Sequence, residues 1–134
     1  MSKKLMFLMS FVLVLGVALP SPAADDPNLV GWWKFDGDTL DASGNGRSGT
    51  LAGDAKLVPL GMIGGALELD GNGDYVTIDG YKGVLADASG VQQPFTVAAW
   101  IKTTDSGDRT IASWGTNSNM RRVDFRLGAG RLRV

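Results

Sequence analysis

Ile63-Gly-Gly-Ala-Leu-Glu-Leu-Asp-Gly-Asn-Gly-Asp-Tyr-Val-Thr-Ile78 holds two short alternating runs around a cluster of turn formers. Ala66 to Leu69 and Tyr75 to Ile78 read as strands. Asp70 to Asp74 reads as a hairpin connection between them, because Gly, Asn and Asp tolerate the left-handed backbone of tight turns. The same alternation recurs on both sides. Upstream, Leu29, Gly31, Trp33 and Phe35 point one way, and Val30, Trp32, Lys34 and Asp36 the other. Downstream, Phe95, Val97, Ala99 and Ile101 alternate with Thr96, Ala98, Trp100 and Lys102, the clearest strand pattern in the chain.

Between these segments the spacing is less regular. Gly37 to Gly49 is a loop rich in Gly, Asp, Asn and Ser. Thr50 to Ala52 and Ala55 to Pro59 are at best short edge strands, since Pro59 cannot donate to a central ladder. Lys82 to Ala88 is the one place for a turn of helix, weakened by Gly83 and Gly90. Thr110 to Trp114 is a further strand. A second hairpin follows, in which Val123, Phe125 and Leu127 alternate with Arg122, Asp124 and Arg126, and Leu132 and Val134 alternate with Arg131 and Arg133 across Gly128-Ala-Gly130. Strand after strand with tight turns implies an all-β, antiparallel β-sandwich or barrel, and in the sandwich Trp33, Leu69 and Val97 lie between the layers.

The first residues read as an address. Lys3 and Lys4 precede the apolar stretch Leu5 to Leu19, and Pro20-Ser-Pro-Ala-Ala24 supplies small residues for cleavage after Ala23 or one residue later. That is the three-part pattern of a signal peptide, short for a permanent span. Residues 1–23 are the expected signal, 24–28 a lead-in and 29–134 one domain, exported to the periplasm, cell surface or exterior. The formal net charge is −1, and loss of Lys3 and Lys4 with the signal takes it to −3, which does not suggest nucleic-acid binding. The sequence has no cysteine and no histidine, so it has no disulfide and lacks the usual zinc, copper and haem ligands.

In order along the chain, Trp33 to Asp36, Asp41-Ala-Ser-Gly-Asn-Gly46, Gly64 to Gly71, Tyr75-Val76 and Phe95 to Lys102 resemble the laminin G-like jelly-roll domains, of concanavalin A-like fold, found in secreted bacterial proteins. The resemblance runs from Leu29 to Val134 and covers the first part of such a domain. Family members usually continue into a Trp-His-His-type strand and a Tyr-x-Asp-Gly hairpin, which this sequence lacks. The resemblance therefore implies a jelly roll incomplete at its C-terminus, with uncovered sheet edges that favour self-association. It also implies a structural calcium ion beside the first strand, held by Asp36, Asp41 and Asn45 with loop carbonyls, in competition with a plain turn-stabilising role for the same side chains.

Other site patterns fail on their context. Gly44-Asn-Gly-Arg-Ser-Gly49 has the spacing of a dinucleotide loop but opens no helix. Asp70, Asn72 and Asp74 match the first ligand positions of an EF-hand, but Tyr75 and Tyr81 stand where its glycine and bidentate glutamate belong. Glu68 is the only glutamate and the aspartates cluster in turns rather than pairing on a strand, so the facing carboxyl pair of a glycoside hydrolase is not recognisable and the chain is expected not to be an enzyme.

Sugar recognition uses an aromatic face with polar groups at its edge. Trp32 and Tyr81 are the expected ligand platforms, for a glycan or cell-surface polysaccharide. The arginine face of the last hairpin reads as a solvated outer sheet face or as a surface attracting anionic polysaccharide. Carbohydrate binding or adhesion is the expected role. The alternatives are a structural spacer, or a fragment of a larger extracellular protein without a function of its own.

Overall fold

The computed structural model describes residues 26–84, 93–116 and 121–134. The expected signal peptide, the start of the lead-in and most of the expected helical turn at Lys82 to Ala88 lie outside these residues. All described strands are antiparallel, and no helix occurs among the described residues, so the chain is all-β as its periodicity implies.

Strands β1 (Thr50–Ala52), β2 (Lys56–Val58), β3 (Ala66–Glu68) and β4 (Tyr75–Thr77) form one interrupted hairpin. β2 pairs with β3 and, further from the turn, β1 pairs with β4. This corrects the expected hairpin. Ala66 to Leu69 and Tyr75 to Ile78 do carry strands, yet they lie along the same arm and do not pair with each other. Their partners are the two short segments expected at most as edges. The reason is steric. Gly64 (φ 65) leaves room for the Asp36 carboxylate and Gly65 for the backbone of Phe35 and Asp36, and Gly65 N–H donates to Asp36 Oδ1 at 2.6 Å. The true turn therefore lies at Gly61 to Gly64, closed by Gly61 N–H to Gly64 O at 2.7 Å. Asp70 to Asp74 becomes a bulge in the longer arm, facing the shorter Gly53 to Ala55 stretch.

Strands β5 (Arg109–Thr116), β6 (Arg121–Gly128) and β7 (Arg131–Arg133) form the second sheet system, in order β5-β6-β7. Ala129 (φ 51) and Gly130 (φ 71) make the two-residue turn between β6 and β7. Positive φ at both positions matches the twist of the flanking strands. Between Thr110 and Ala112 the β5–β6 register shifts by a bulge at Ile111. Beyond it Trp114 faces Val123 and Ala112 faces Phe125, so β5 shares the apolar face of β6.

Two expected strands join no ladder among the described residues. Leu29 to Asp36 makes only an isolated bridge, Trp33 to Asp41. Phe35 (φ 58) leaves the β-region, and the Trp32 amide is taken by a side chain instead of a neighbouring strand. Phe95 to Lys102 also forms no ladder, although Phe95 meets Trp114 edge-on, with ring centroids 5.1 Å apart at 73°. Alternation assigns side chains to faces, while a strand also requires a second backbone alongside it.

No apolar side chain is fully buried among the described residues. Trp33 and Val97 are half-buried, and Leu69 is 45% exposed, so Leu69 departs from the expected interior. Trp100 is 73% exposed and Leu60 88%. The small sheets suit a sandwich, but the described residues do not close one.

Candidate functional site

Among the described residues, hydrogen bonds are densest in the loop between Leu29 and Gly49, with Asp41 at its centre. Asp41 Oδ1 accepts from the backbone N–H of Trp32 at 3.0 Å and of Ser43 at 2.9 Å, and Oδ2 accepts from Arg47 N–H at 3.0 Å. Ala42 N–H donates to Trp32 O at 2.7 Å, and Trp33 Nε1–H to Arg47 O at 2.7 Å. Burial by itself would push the Asp41 carboxyl up. Hydrogen bonds from the Ser43 hydroxyl and from the amides of Trp32, Ser43 and Arg47 together outweigh it and hold the pKa down at about 2.

Arg47 ties this loop to the next. Its amide reaches Asp41 and its carbonyl takes the Trp33 indole. Its guanidinium donates to Val30 O and stacks over the Tyr81 ring, 4.1 Å from the centroid. Trp32, two residues beyond Val30, is 37% exposed, with Lys34 Nζ 5.8 Å from its ring centroid. Both expected sugar platforms thus carry a cation over the ring, an arrangement favoured by the negative ring face. Tyr81 is half-buried under Arg47 and Trp32 is the more open of the two. The guanidinium was not among the residues expected from sequence. Its only sequence signal was a lone arginine inside a Gly/Ser loop.

The expected calcium ligands are engaged in hydrogen bonds. Asp36 is engaged by Gly65 N–H, and Asn45 Nδ2 donates to Leu29 O at 2.8 Å and to Ser43 Oγ at 3.0 Å. Asp41 meets four donors, which saturate the roughly four lone-pair sites of a carboxylate. Asp41 as it stands therefore has no lone pair left for a calcium ion. Asp41 and Asn45 stabilise the loop with side-chain hydrogen bonds.

Carboxylates gather instead at the bulge of the first hairpin. Asp54, Asp70 and Asp74 each present an oxygen within 4.8 Å of the others, a group that could hold a cation. The chain itself uses Asp74 to fasten the bulge. Asp74 Oδ1 accepts from Asp54 N–H at 2.9 Å and Oδ2 from Asp70 N–H at 2.8 Å. The bond from Asp70 is the main cause holding the Asp74 carboxyl below its usual range. A side-chain hydrogen bond to Asp74, then the charges of Asp74 and Asp70, raise Asp54. In Asp74→Asn, the Asp54 pKa is therefore expected to fall back toward the ordinary carboxylate value. Carboxyl-resonance NMR titration reads this directly, and an unchanged Asp54 curve would show that the two acids do not share a proton.

Glu68, the sole glutamate, faces Lys56 across β2 and β3, with Nζ 3.9 Å from Oε1. It is exposed and ion-paired. No family model, curated protein or solved structure matches this chain.

Proposed function

We propose that this chain is an exported, non-catalytic β-sandwich module that binds carbohydrate beside Trp32, Arg47 and Tyr81. The laminin G-like resemblance belongs to this proposal and stands on the sequence motifs alone. The observation that carries the reading is the stack of Arg47 on Tyr81, anchored to Val30 O two residues before the partly exposed Trp32. An aromatic face receives the apolar face of a sugar ring, and the guanidinium N–H groups not used on Val30 meet its hydroxyls. The start of the sequence, with its signal-peptide pattern, supports export. No helix among the described residues is long and apolar enough to cross a membrane.

The test is a glycan array probed with wild type, Trp32→Ala and Tyr81→Ala. We expect binding in wild type to drop about tenfold or more in each variant, since a stacked aromatic contributes of the order of 1–2 kcal/mol. Equal binding by all three would remove the site.

A second reading is favoured by the open apolar surface. Met62 is 70% exposed, Ile63 73% and Trp100 73%, and no apolar side chain among the described residues is fully buried. A structural module whose apolar faces are covered by a neighbouring protein or a second copy accounts for them. An array without hits, together with concentration-dependent self-association in ultracentrifugation, would favour it over sugar binding.

A further inference from the structure

The β6–β7 register brings like charges face to face. Arg126 lies directly opposite Arg133, and Gly128 opposite Arg131. Arg122 lies on the same face further along β6, since side chains two and four residues apart share a face. One carboxylate, Asp124, lies within this row between Arg122 and Arg126, and a second, Asp108, borders it. Asp124 holds Arg122, with Nε 2.7 Å from Oδ1. Asp108 flanks Gly128, where a Cβ would stand 2.5 Å from Asp108 Oδ1 and 2.9 Å from Arg133 Nε. The missing side chain at Gly128 is what lets Arg133 lie across the strand. Arg126, Arg131 and Arg133 are exposed and make no ion pair among the described residues.

Directly opposed like charges destabilise an antiparallel pair, and an anion seated between them reverses the sign of that term. The guanidinium fork suits a carboxylate bidentately. Period-two spacing along β7 and cross-strand spacing to β6 set such forks at regular intervals over a flat surface, which fits a linear polymer better than a single small ion. The rest of the face is Thr110, Ser113 and Gly115, placed there by their pairing with Arg126, Asp124 and Arg122. It has no aromatic ring for base stacking and no large apolar group to enter a bilayer.

We propose that this arginine face binds a carboxylate-bearing linear polysaccharide, a polyuronate. It shares no residue with the Trp32–Tyr81 surface, so either site can fail without the other.

The experiment measures binding of the purified protein to immobilised polygalacturonate, with neutral dextran, duplex DNA and anionic phospholipid vesicles in parallel. Wild type is expected to bind polygalacturonate at low salt and to weaken steeply as salt shortens the screening length. The Arg126→Gln/Arg133→Gln variant is expected to lose about tenfold or more in affinity, with an unchanged circular dichroism spectrum, because it removes a repulsion and no backbone bond. Lys56→Gln, which removes a positive charge on β2 outside this face, is expected to bind as wild type. Polygalacturonate binding that is absent, or unaffected by the double arginine variant, would overturn the proposal. So would DNA or vesicles bound as tightly as polygalacturonate, which would reduce the face to a general attractor of negative charge.

Discussion

Asp41→Ala is expected to cost about 2–3 kcal/mol and to lower the melting temperature by about 10 °C or more, because it leaves the amides of Trp32, Ser43 and Arg47 without their acceptor. The same residue sets an acid limb. Its pKa is about 2 in the fold against an ordinary 3.8, so the folded state binds the proton more weakly than the unfolded chain. The stabilisation is complete above about pH 5 and is lost as pH falls through the ordinary value toward 2. The full shift corresponds to about 2 kcal/mol, and solvent around a partly exposed group reduces it to about 1 kcal/mol. Denaturant titrations at pH 7, 4 and 2.5 should show that loss in wild type and a flatter pH dependence in Asp41→Ala. Asp41→Asn keeps one acceptor oxygen and should fall between them. Equal midpoints for wild type and Asp41→Ala at pH 7 would mean that the loop closes without its central carboxylate.

Gly83→Ala is expected to destabilise by about 2–4 kcal/mol, from two separate causes. Gly83 has φ 76, a conformation that costs an L-residue about 1 kcal/mol. Its Cβ would also run into the Trp114 indole, which packs on the bare glycine backbone and donates Nε1–H to Val84 O at 3.1 Å. Gly80 separates the two causes. It has φ 74 and nothing within 4 Å of its would-be Cβ, so Gly80→Ala should lose only the conformational part. Denaturant midpoints measure the difference, and near-UV circular dichroism reports whether Trp114 is displaced from Phe95. Equal losses in the two variants would show that the indole is not seated against Gly83.

These two sites differ in how far the sequence announced them. Asp41 stood in a recognisable turn segment, and a turn-stabilising role was one of its two readings. What the sequence concealed is its reach, since Trp32 lies in a different segment and donates a backbone N–H that every residue except proline carries. Arg47 was hidden for the same reason: its amide and carbonyl have partners that no residue pattern encodes. Trp114 and Gly83 were each visible alone, as an aromatic in a strand and a glycine in an irregular stretch. Nothing in the spacing told that one fills the place the other leaves.

The C-terminal hairpin shows the opposite case. Its arginine and apolar residues separate onto the two faces that alternation assigned, and Ala129-Gly130 turns between them. The first hairpin was half legible. Its strands were found, but Asp70 to Asp74 took the role of the turn because it is the denser cluster of turn formers.

Local physics was enough for the all-β class, the split faces of β6 and β7, and the loop character of Gly37 to Gly49. Each of these depends on side-chain period or on backbone preference within a few residues. Only the tertiary structure decided that β1 takes β4, that β2 takes β3, and that Asp41 and Arg47 bind segments together. Those choices are made by main-chain hydrogen bonds and close backbone approach, which are common to all residues and so leave almost no mark on composition.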